Sequence, residues 1–311
     1  MKTAQIAAVS QWTADVVSLP ECQRIGRVHS VYQHICNIKL GKHLLSWQDE
    51  TAIRTPLSFV FVQGIELSAL RLQQGDFCRL DPIARQFMVG DWLLDFQDAA
   101  TFSLQYANED KRVIGLAAAV SRIRAAIAQI NSDLYISGIG AQISDAVQQG
   151  LQNLTLGISL RSRPLFLQGV QQLVGLGFGL TPTGDDALLG FTLAMELDPA
   201  NRGFISGLTD DILSWLPGRT TEISEQFLRL GLQSQYAEPP LNLLQSLYHG
   251  DTDAQVTAIG QVLRIGHSSG GDLLTGLTAG LQCLSEPQTD AGNHLRHCAQ
   301  KHYDGLPMTA Q

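Results

Sequence analysis

The spacing of hydrophobic residues changes near residue 111. Between Gly26 and about Phe96, short runs rich in β-branched and aromatic residues are separated by Gly, Asp and Pro. Such runs, bounded by turn residues, predict β-strands. The runs are RVHSVYQHICNIKL, HLLSWQ, LSFVFVQ, DFCRL and FMVGDWLLDF. We therefore expect a sheet or small barrel that extends to about Gln97.

Beyond Lys111 the apolar residues recur at helical spacing, which predicts helices through most of the remaining chain. Two periodic sets come first: Val113, Leu116, Val120, Ile123, Ile127 and Ile130, then Ile139, Ile143, Val147, Leu151 and Leu154. Further candidate helices are LFLQGVQQLV, DALLGFTLAMEL, LTDDILSWL, ISEQFLRLGL, LNLLQSLY, AQVTAIGQVLRI and DLLTGLTAGLQCL. The predicted fold is α+β. A β-rich, barrel-like N-terminal domain (1–108) is followed by a mainly α-helical domain (109–311) that carries two Gly-rich ligand-binding loops.

Composition narrows the classes of function. The chain has 311 residues, 44% of them hydrophobic and 16% charged, with a net charge of -8. This length and apolar content are sufficient for one or two globular domains with large cores. The acidic balance argues against wrapping nucleic acid or lying on an anionic membrane, because both need clustered Lys and Arg. We expect small molecules or proteins as partners.

The cysteines and the N-terminus indicate a cytoplasmic protein. The five cysteines are scattered and form no C-x-x-C pair, which predicts reduced thiols rather than disulfides or a Cys-rich zinc site. The first residues, MKTAQIAAVSQWTADVV, lack the features of a signal peptide, and no segment reaches the roughly 18 apolar residues of a membrane span.

The segment GFGLTPTGDD, Gly177 to Asp186, predicts a loop that leads into a buried helix. Its glycines permit tight turns, and Asp185 or Asp186 is suited to cap the helix. Such a loop directs backbone N–H groups toward an anion at the positive end of the helix. A P-loop is excluded because Asp185 stands where Lys is required, and the dinucleotide fingerprint lacks its final glycine, so no organic cofactor is predicted. Alternatively, the glycines only allow close packing.

A second segment, GHSSGGDLLTG, repeats this pattern. The matching positions are Thr183, Gly184, Asp186, Leu188 and Gly190 in the first segment and Ser269, Gly270, Asp272, Leu274 and Gly276 in the second. Glycine-spaced helices can approach closely, so the two loops are predicted to meet at one end and to form a shared pocket. A paired packing motif without a ligand is the alternative.

These two segments and RTTEIS (Arg219 to Ser224) together resemble the AllH-type family of bacterial proteins, assigned as a subunit of oxamate carbamoyltransferase in allantoin breakdown. The resemblance extends over most of the chain, and the Gly-Leu-Thr-Pro loop is its most specific part. It implies phosphorolysis of oxalurate to oxamate and carbamoyl phosphate, together with two other kinds of subunit. It leaves open which subunit carries the catalytic groups.

That chemistry suggests roles for the loop residues. Carbamoyl transfer needs a phosphate cradle, donors to the carbamoyl oxygen and a cation for the substrate carboxylate. Carboxylates cannot bind an anion directly, so Asp185 and Asp186 are candidate Mg²⁺ ligands, or they hold a catalytic water. The candidate catalytic residues are Asp185, Asp186, His267 and Asp272. The candidate substrate-binding residues are Gly179, Thr181, Thr183, Gly184, Arg219, Thr220, Thr221, Ser268, Ser269 and Gly270.

Each of these assignments has a plainer alternative. The aspartates can serve as helix N-caps, the Arg219 segment can be a surface cap, and His267 can be a solvated loop residue. His294, His297 and His302 lie in a polar tail without a carboxylate or cysteine to complete a zinc site, and we interpret them as part of an exposed helix. Two classes of function remain: a carbamoyl-transfer component that binds a small anionic metabolite, and a non-catalytic scaffold or regulatory subunit whose loops bind a partner chain.

Overall fold

The computed structural model describes residues 1–18, 24–107, 113, 115–131 and 138–285. These residues form two separate hydrophobic cores, one among the N-terminal strands and one among the helices. The fold is α+β, as predicted. The predicted boundary between residues 108 and 109 lies outside the described residues, as do Cys22, Cys298 and the three histidines of the tail.

The N-terminal part is a closed eight-stranded barrel with a ninth strand attached. Around the barrel the strands follow the order β5-β4-β3-β2-β6-β7-β8-β1, and β1 closes the ring by pairing with β5. The attached strand β9 runs parallel to the end of β1, where β8 no longer pairs with it. The strands are β1 (Lys2–Ser10), β2 (Ile25–Val31), β3 (Ile35–Leu40), β4 (His43–Gln48), β5 (Ser58–Phe61), β6 (Phe77–Asp81), β7 (Gln86–Val89), β8 (Trp92–Asp95) and β9 (Ala100–Phe102).

Aromatic side chains fill one part of the barrel interior. Phe87 meets Trp47 and Phe59 edge to face, with ring centroids 5.3 Å apart in both pairs, and Phe96 lies 5.0 Å from Phe59. Edge-to-face pairs are favourable beyond the area that they bury. The barrel core also contains Cys36 and Cys78 as free thiols, and burial raises their pKa values to about 12 and about 11. Both thiols are therefore packing groups.

The described residues after the barrel form ten helices, and one further helix follows β1. The helices are α1 (Gln11–Ser18), α2 (Leu116–Asn131), α3 (Gly138–Leu160), α4 (Arg163–Leu173), α5 (Thr183–Met195), α6 (Pro199–Ser206), α7 (Thr209–Trp215), α8 (Glu222–Gly231), α9 (Glu238–His249), α10 (Thr252–Leu263) and α11 (Ser269–Ser285). Every segment predicted as helical from its periodicity contains one. No described helix is long and apolar enough to cross a membrane.

Helices α5 and α11 form the centre of the helical core and pack at very short range. A Cβ on Gly276 would lie 1.7 Å from the carbonyl oxygen of Ala187, and a Cβ on Gly190 would lie 1.9 Å from that of Leu273. Only glycine allows the backbones to approach this closely. The two contacts are reciprocal, since Ala187 and Leu273 both directly follow the aspartates of the repeated pattern.

The barrel contacts the helical part near the start of α8. Lys39 Nζ on β3 lies 2.6 Å from Glu222 Oε2, and His29 Nε2 on β2 lies 3.7 Å from the same oxygen. The cation of Lys39 lowers the pKa of Glu222 through a hydrogen bond and its charge. A bridge between Gln105 and Gln235 adds a backbone connection.

Candidate functional site

The two glycine-rich loops meet at the starts of α5 and α11. Thr181 Oγ1 and Ser269 Oγ lie 2.8 Å apart. Each loop turns sharply before its helix, with Gly177 at φ 114° and Gly266 at φ 57° in the left-handed region. The predicted meeting of the loops is confirmed.

The loops share a second detail that explains the repeated glycine before each aspartate. A Cβ on Gly184 would lie 2.1 Å from the carbonyl oxygen of Leu173, and a Cβ on Gly270 would lie 2.1 Å from that of Val262. The start of α5 thus packs against the end of α4 in the same way as the start of α11 packs against the end of α10.

Asp186 is the most buried charged group at this junction that lacks a full set of hydrogen bonds. Burial raises its pKa to about 8, hydrogen bonding from Thr181 and Ser269 opposes the rise, and the charge of Asp272 adds to it. Its Oδ2 is buried and accepts no hydrogen bond from any described residue. At neutral pH Asp186 is therefore mainly a neutral carboxylic acid.

Asp272 occupies the equivalent place on α11. Burial raises its pKa to about 6, and hydrogen bonding from Ser268 and Thr183 lowers it. Each aspartate thus faces the hydroxyl residue that begins the other helix, Thr183 for Asp272 and Ser269 for Asp186. Asp272 Oδ2 is also buried without a hydrogen-bond partner within the described ranges. The pKa of Asp186 therefore lies above that of Asp272.

Asp185 has a different environment. Its Oδ1 accepts a hydrogen bond from the Gly175 amide at 2.8 Å, and its Oδ2 accepts hydrogen bonds from the hydroxyls of Thr220 and Ser224. Burial raises its pKa, and these three hydrogen bonds oppose the rise. Asp185 therefore joins the first loop to the start of α8.

The capping role considered for the aspartates is wrong for α5. The helix begins at Thr183 after Pro182, and no side chain caps it, because Asp185 and Asp186 already lie within its first turn. The amides of Gly184 and Gly270 donate to the carbonyls of Leu176 and Ile265. These two amides are therefore occupied within their own loops.

The RTT segment lies beside the first loop. Thr221 caps α8 by accepting a hydrogen bond from the Ser224 amide, and its hydroxyl donates to the carbonyl of Leu180. The Arg219 guanidinium is exposed and lies over the Trp215 ring, 5.0 Å from its centroid. The segment therefore fastens the loop, while the Arg219 side chain is stacked at the surface.

The other predicted site residues line the outside of the junction. Gly179, His267 and Ser268 are exposed, and Ser268 hydrogen-bonds to Asp272. The tip of the first loop also carries two exposed apolar side chains, Phe178 and Leu180, which are 76% and 52% exposed. The catalytic and substrate-binding roles of all these residues stay predictions.

The donor set allows a limited test of the Mg²⁺ prediction. The described residues contain no group of three or more His, Cys, Asp and Glu side chains that could hold a metal ion. Both oxygens of Asp185 are taken by N–H and O–H donors, whereas Asp186 and Asp272 each have an unpaired buried oxygen. Mg²⁺ binds through one or two carboxylates together with water or phosphate oxygens. Asp186 and Asp272 fit that pattern better than the predicted pair of Asp185 and Asp186.

Sequence reasoning missed a second group of polar residues, at the other end of α5. Glu196 directly follows the helix and is 5% exposed, and it lines a cavity of about 400 Å³. Its sequence signal was a lone Glu that ends the apolar segment ALLGFTLAMEL. An acidic residue there is unusual, because the C-terminal end of a helix favours cations.

The chain is an α+β protein in which a closed barrel is followed by a helical part, and two aspartates lie at the starts of its two central helices. Residues 7–101 match the family model described as the AllH family N-terminal domain, and residues 173–281 match the model described as oxamate carbamoyltransferase subunit AllH. The chain belongs to the AllH family, which confirms the resemblance. No solved structure matches the chain.

Proposed function

We propose that the chain is a catalytic subunit of an oxamate carbamoyltransferase and that the Asp186–Asp272 pair moves the proton in carbamoyl transfer. The observation that carries the proposal is the arrangement of this pair. Two carboxylates, buried Asp186 and half-buried Asp272, face the starting hydroxyls of each other's helices, each keeps an unpaired oxygen, and the pKa of Asp186 lies above that of Asp272. General acid–base catalysis needs one protonated and one ionised group at the operating pH.

The reaction balances with this pair alone. A phosphate oxygen attacks the ureido carbon of oxalurate and forms the new C–O bond, while the bond from that carbon to the oxamyl nitrogen breaks. Asp272 takes the proton of hydrogen phosphate, and protonated Asp186 gives its proton to the leaving nitrogen. Carbamoyl phosphate and oxamate leave, and the pair keeps one proton, now on Asp272. In the reverse direction the two groups exchange roles.

The surroundings suit the anionic reactants. Two helix starts point at the pair, and their positive ends favour phosphate and carboxylate groups. The hydroxyls of Thr181, Thr183 and Ser269 lie at the same place and hydrogen-bond to the two aspartates. Mg²⁺ would require both Asp186 and Asp272 to be ionised, so a metal ion on the pair and the proposed proton transfer exclude each other.

The test uses the complex assembled with its other subunits. Asp186→Asn and Asp272→Asn each keep size but remove the titrating group, and each should lower kcat for carbamoyl phosphate formation by about 100-fold or more. Wild-type kcat/KM should peak between about pH 6 and 8, and each variant should lose one limb of that profile. Asp211→Asn, at an exposed position of α7, is the matched control and should be fully active. Wild-type kcat and pH profile in both variants would refute the catalytic role.

A second candidate is a non-catalytic subunit whose first loop binds a partner chain. The exposed Phe178 and Leu180 at the tip of that loop favour it, because exposed apolar side chains beside a site mark contact surfaces. Replacing Phe178 by Ser should then weaken assembly of the complex in size-exclusion chromatography, whereas Ile83→Ser, at an exposed barrel position, should not. Full activity of the Asp186 and Asp272 variants in the assembled complex would favour this candidate.

A further inference from the structure

The tip of the first glycine-rich loop is held at both ends but not in the middle. Before the tip, the carbonyl of Leu176 accepts a hydrogen bond from the Gly184 amide at 2.8 Å. After the tip, the carbonyl of Leu180 accepts one from the Thr221 hydroxyl. Residues 177–179, with the sequence Gly-Phe-Gly, form no hydrogen bond with any described residue. The tip can therefore change its conformation without breaking a hydrogen bond.

Phe178 lies between two glycines with unusual backbone conformations. Gly177 has φ 114° and Gly179 has φ 95°, values that residues other than glycine rarely adopt. A Cβ on Gly179 would meet no atom within 4 Å, so this side of the tip faces open space. Phe178 is 76% exposed, and its ring contacts no other aromatic ring of the described chain. The glycine on each side gives this ring wide freedom of direction.

The tip lies next to the acidic pair. A Cβ on Gly177 would lie 2.8 Å from the Thr183 amide nitrogen and 3.1 Å from Thr183 Oγ1, so the loop touches the first residue of α5. The Thr183 side chain in turn hydrogen-bonds to Asp272. Phe178 directly follows Gly177, and neighbouring Cα atoms are about 3.8 Å apart. The exposed ring therefore belongs to the residue beside the contact that leads to Asp272.

Leu180 is the other exposed apolar side chain of the loop, and it differs from Phe178 in one respect. It is 52% exposed, but its own carbonyl is fastened to Thr221. The next residue, Thr181, contacts Ser269 of the second loop. The loop thus carries two neighbouring apolar side chains, one on a fixed backbone and one on a free backbone.

We propose that Phe178 covers the substrate bound at the Asp186–Asp272 pair and keeps water away from the carbon that is transferred. This inference rests on the proposed function. The planar ureido and amide groups of oxalurate give the ring a flat surface to stack against, and stacking removes exposed aromatic area from water. Excluding water from a closed site prevents hydrolysis in competition with the intended transfer.

Water and phosphate compete for the same ureido carbon. In hydrolysis the water oxygen forms the new C–O bond, and the bond from that carbon to the oxamyl nitrogen breaks. Asp272 takes one proton from the water, and protonated Asp186 gives its proton to the leaving nitrogen. The products are oxamate and carbamic acid, which decomposes to ammonia and carbon dioxide. Phosphorolysis releases no ammonia, so the ratio of ammonia to oxamate measures the access of water.

This ratio is measured at early times with oxalurate and phosphate, in the complex assembled with its other subunits. Phe178→Ala should raise the ammonia released per oxamate by about tenfold or more, because the ring no longer excludes water. Phe178→Leu keeps apolar bulk and should restore most of the wild-type ratio. Leu180→Ala, in the same loop, and Ile83→Ala, at an exposed barrel position, are the matched controls. Both should keep the wild-type ratio.

Size-exclusion chromatography of the Phe178→Ala complex separates this role from a docking role. Wild-type assembly is expected, because the ring faces the substrate. Loss of assembly would overturn the proposal and make Phe178 a contact to a partner chain. An equal rise of the ratio in Leu180→Ala would also overturn it, because loosening of the whole loop would then admit the water.

Asp186→Asn distinguishes failure of this inference from failure of the proposed function. If Asp186→Asn is inactive and Phe178→Ala keeps the wild-type ratio, the role of Phe178 is refuted and the proposed function stands. Wild-type activity of Asp186→Asn would remove both.

Discussion

The hydroxyl oxygens of Thr181 and Ser269 lie 2.8 Å apart, although 88 positions separate the two residues in the chain. This contact joins the loops directly over the two buried aspartates. Helices α5 and α11, which carry these aspartates, are packed backbone to backbone just after the loops. The geometry of the acidic pair is therefore fixed by the centre of the fold.

The close helix contact predicts a large difference between two similar substitutions. Gly276→Ala places a methyl group 1.7 Å from a backbone oxygen, so the helices must shift, and the free energy of unfolding should fall by about 3 kcal/mol or more. Gly260→Ala, at an exposed position of α10, places a methyl group with nothing within 4 Å and should raise the free energy of unfolding by up to about 1 kcal/mol. Urea denaturation of both variants measures this. Equal stability of the two would contradict the packing.

The raised pKa of Asp186 predicts that the stability of the fold depends on pH. Its pKa is about 8 in the folded chain and near 3.8 when unfolded, so the folded state binds more protons between those values. The free energy of unfolding should therefore decrease as pH rises from about 4 to 8 and level off above. In Asp186→Asn this contribution is absent. As pH rises through that window, the free energy of unfolding of the variant should therefore increase relative to that of the wild type by roughly 1.4 kcal/mol per pH unit.

Asp272→Asn gives the comparison for this measurement. The pKa of Asp272 is about 6, so its effect has the same sign but is complete by about pH 6. Denaturation curves at half-unit steps from pH 5 to 9 separate the two windows. A flat difference between wild type and Asp186→Asn would show that Asp186 is ionised in the folded chain.

Asp185 is predicted to stabilise the fold through its three hydrogen bonds. Asp185→Ala leaves the Gly175 amide and the hydroxyls of Thr220 and Ser224 without their acceptor, and it should cost about 3 kcal/mol or more. Ser224→Ala removes one of the three hydrogen bonds and should cost about 1 kcal/mol. Denaturation measures both, and a cost for Asp185→Ala no larger than that of Ser224→Ala would contradict this role.

Arg219 is predicted to affect substrate binding more than folding. Arg219→Lys keeps the charge but loses the planar fork, so KM for the anionic substrate should rise in the assembled complex while the melting temperature changes little. Arg161→Lys is the matched control, because Arg161 also lies over an aromatic ring, that of Phe204. Equal KM values for wild type and Arg219→Lys would remove Arg219 from the site.

Much of this fold could be predicted from local patterns. The run HLLSWQ coincides with β4, and the periodic apolar sets fall on α2 and α3. The N-terminal strand β1 was missed because three of its nine residues are Ala, which is depleted in strands, and because it merges directly into α1. Helix α6 was missed because Asn201, Arg202 and Gly203 interrupt its apolar pattern, and its start depends on the Asp198 cap.

From the sequence, the site could be predicted only where the two glycine-rich segments repeat the same pattern. The matched positions of Asp186 and Asp272 were sufficient to predict that the loops meet. The different environments of Asp185 and Asp186 could not be predicted, because adjacent residues on a helix point in different directions and their partners come from distant segments. Thr220 and Ser224 reach Asp185 from α8, and no local pattern indicates that contact.

Strand β1 closes the barrel between β8 and β5, and this has a consequence for synthesis of the chain. This strand leaves the ribosome before its partners β5, β8 and β9, the last of which ends at Phe102. Pairings between residues far apart in sequence slow folding. The backbone hydrogen bonds of β1 to all three partners can therefore form only after β9 has emerged. During that interval its apolar face is open to chaperones and to other nascent chains.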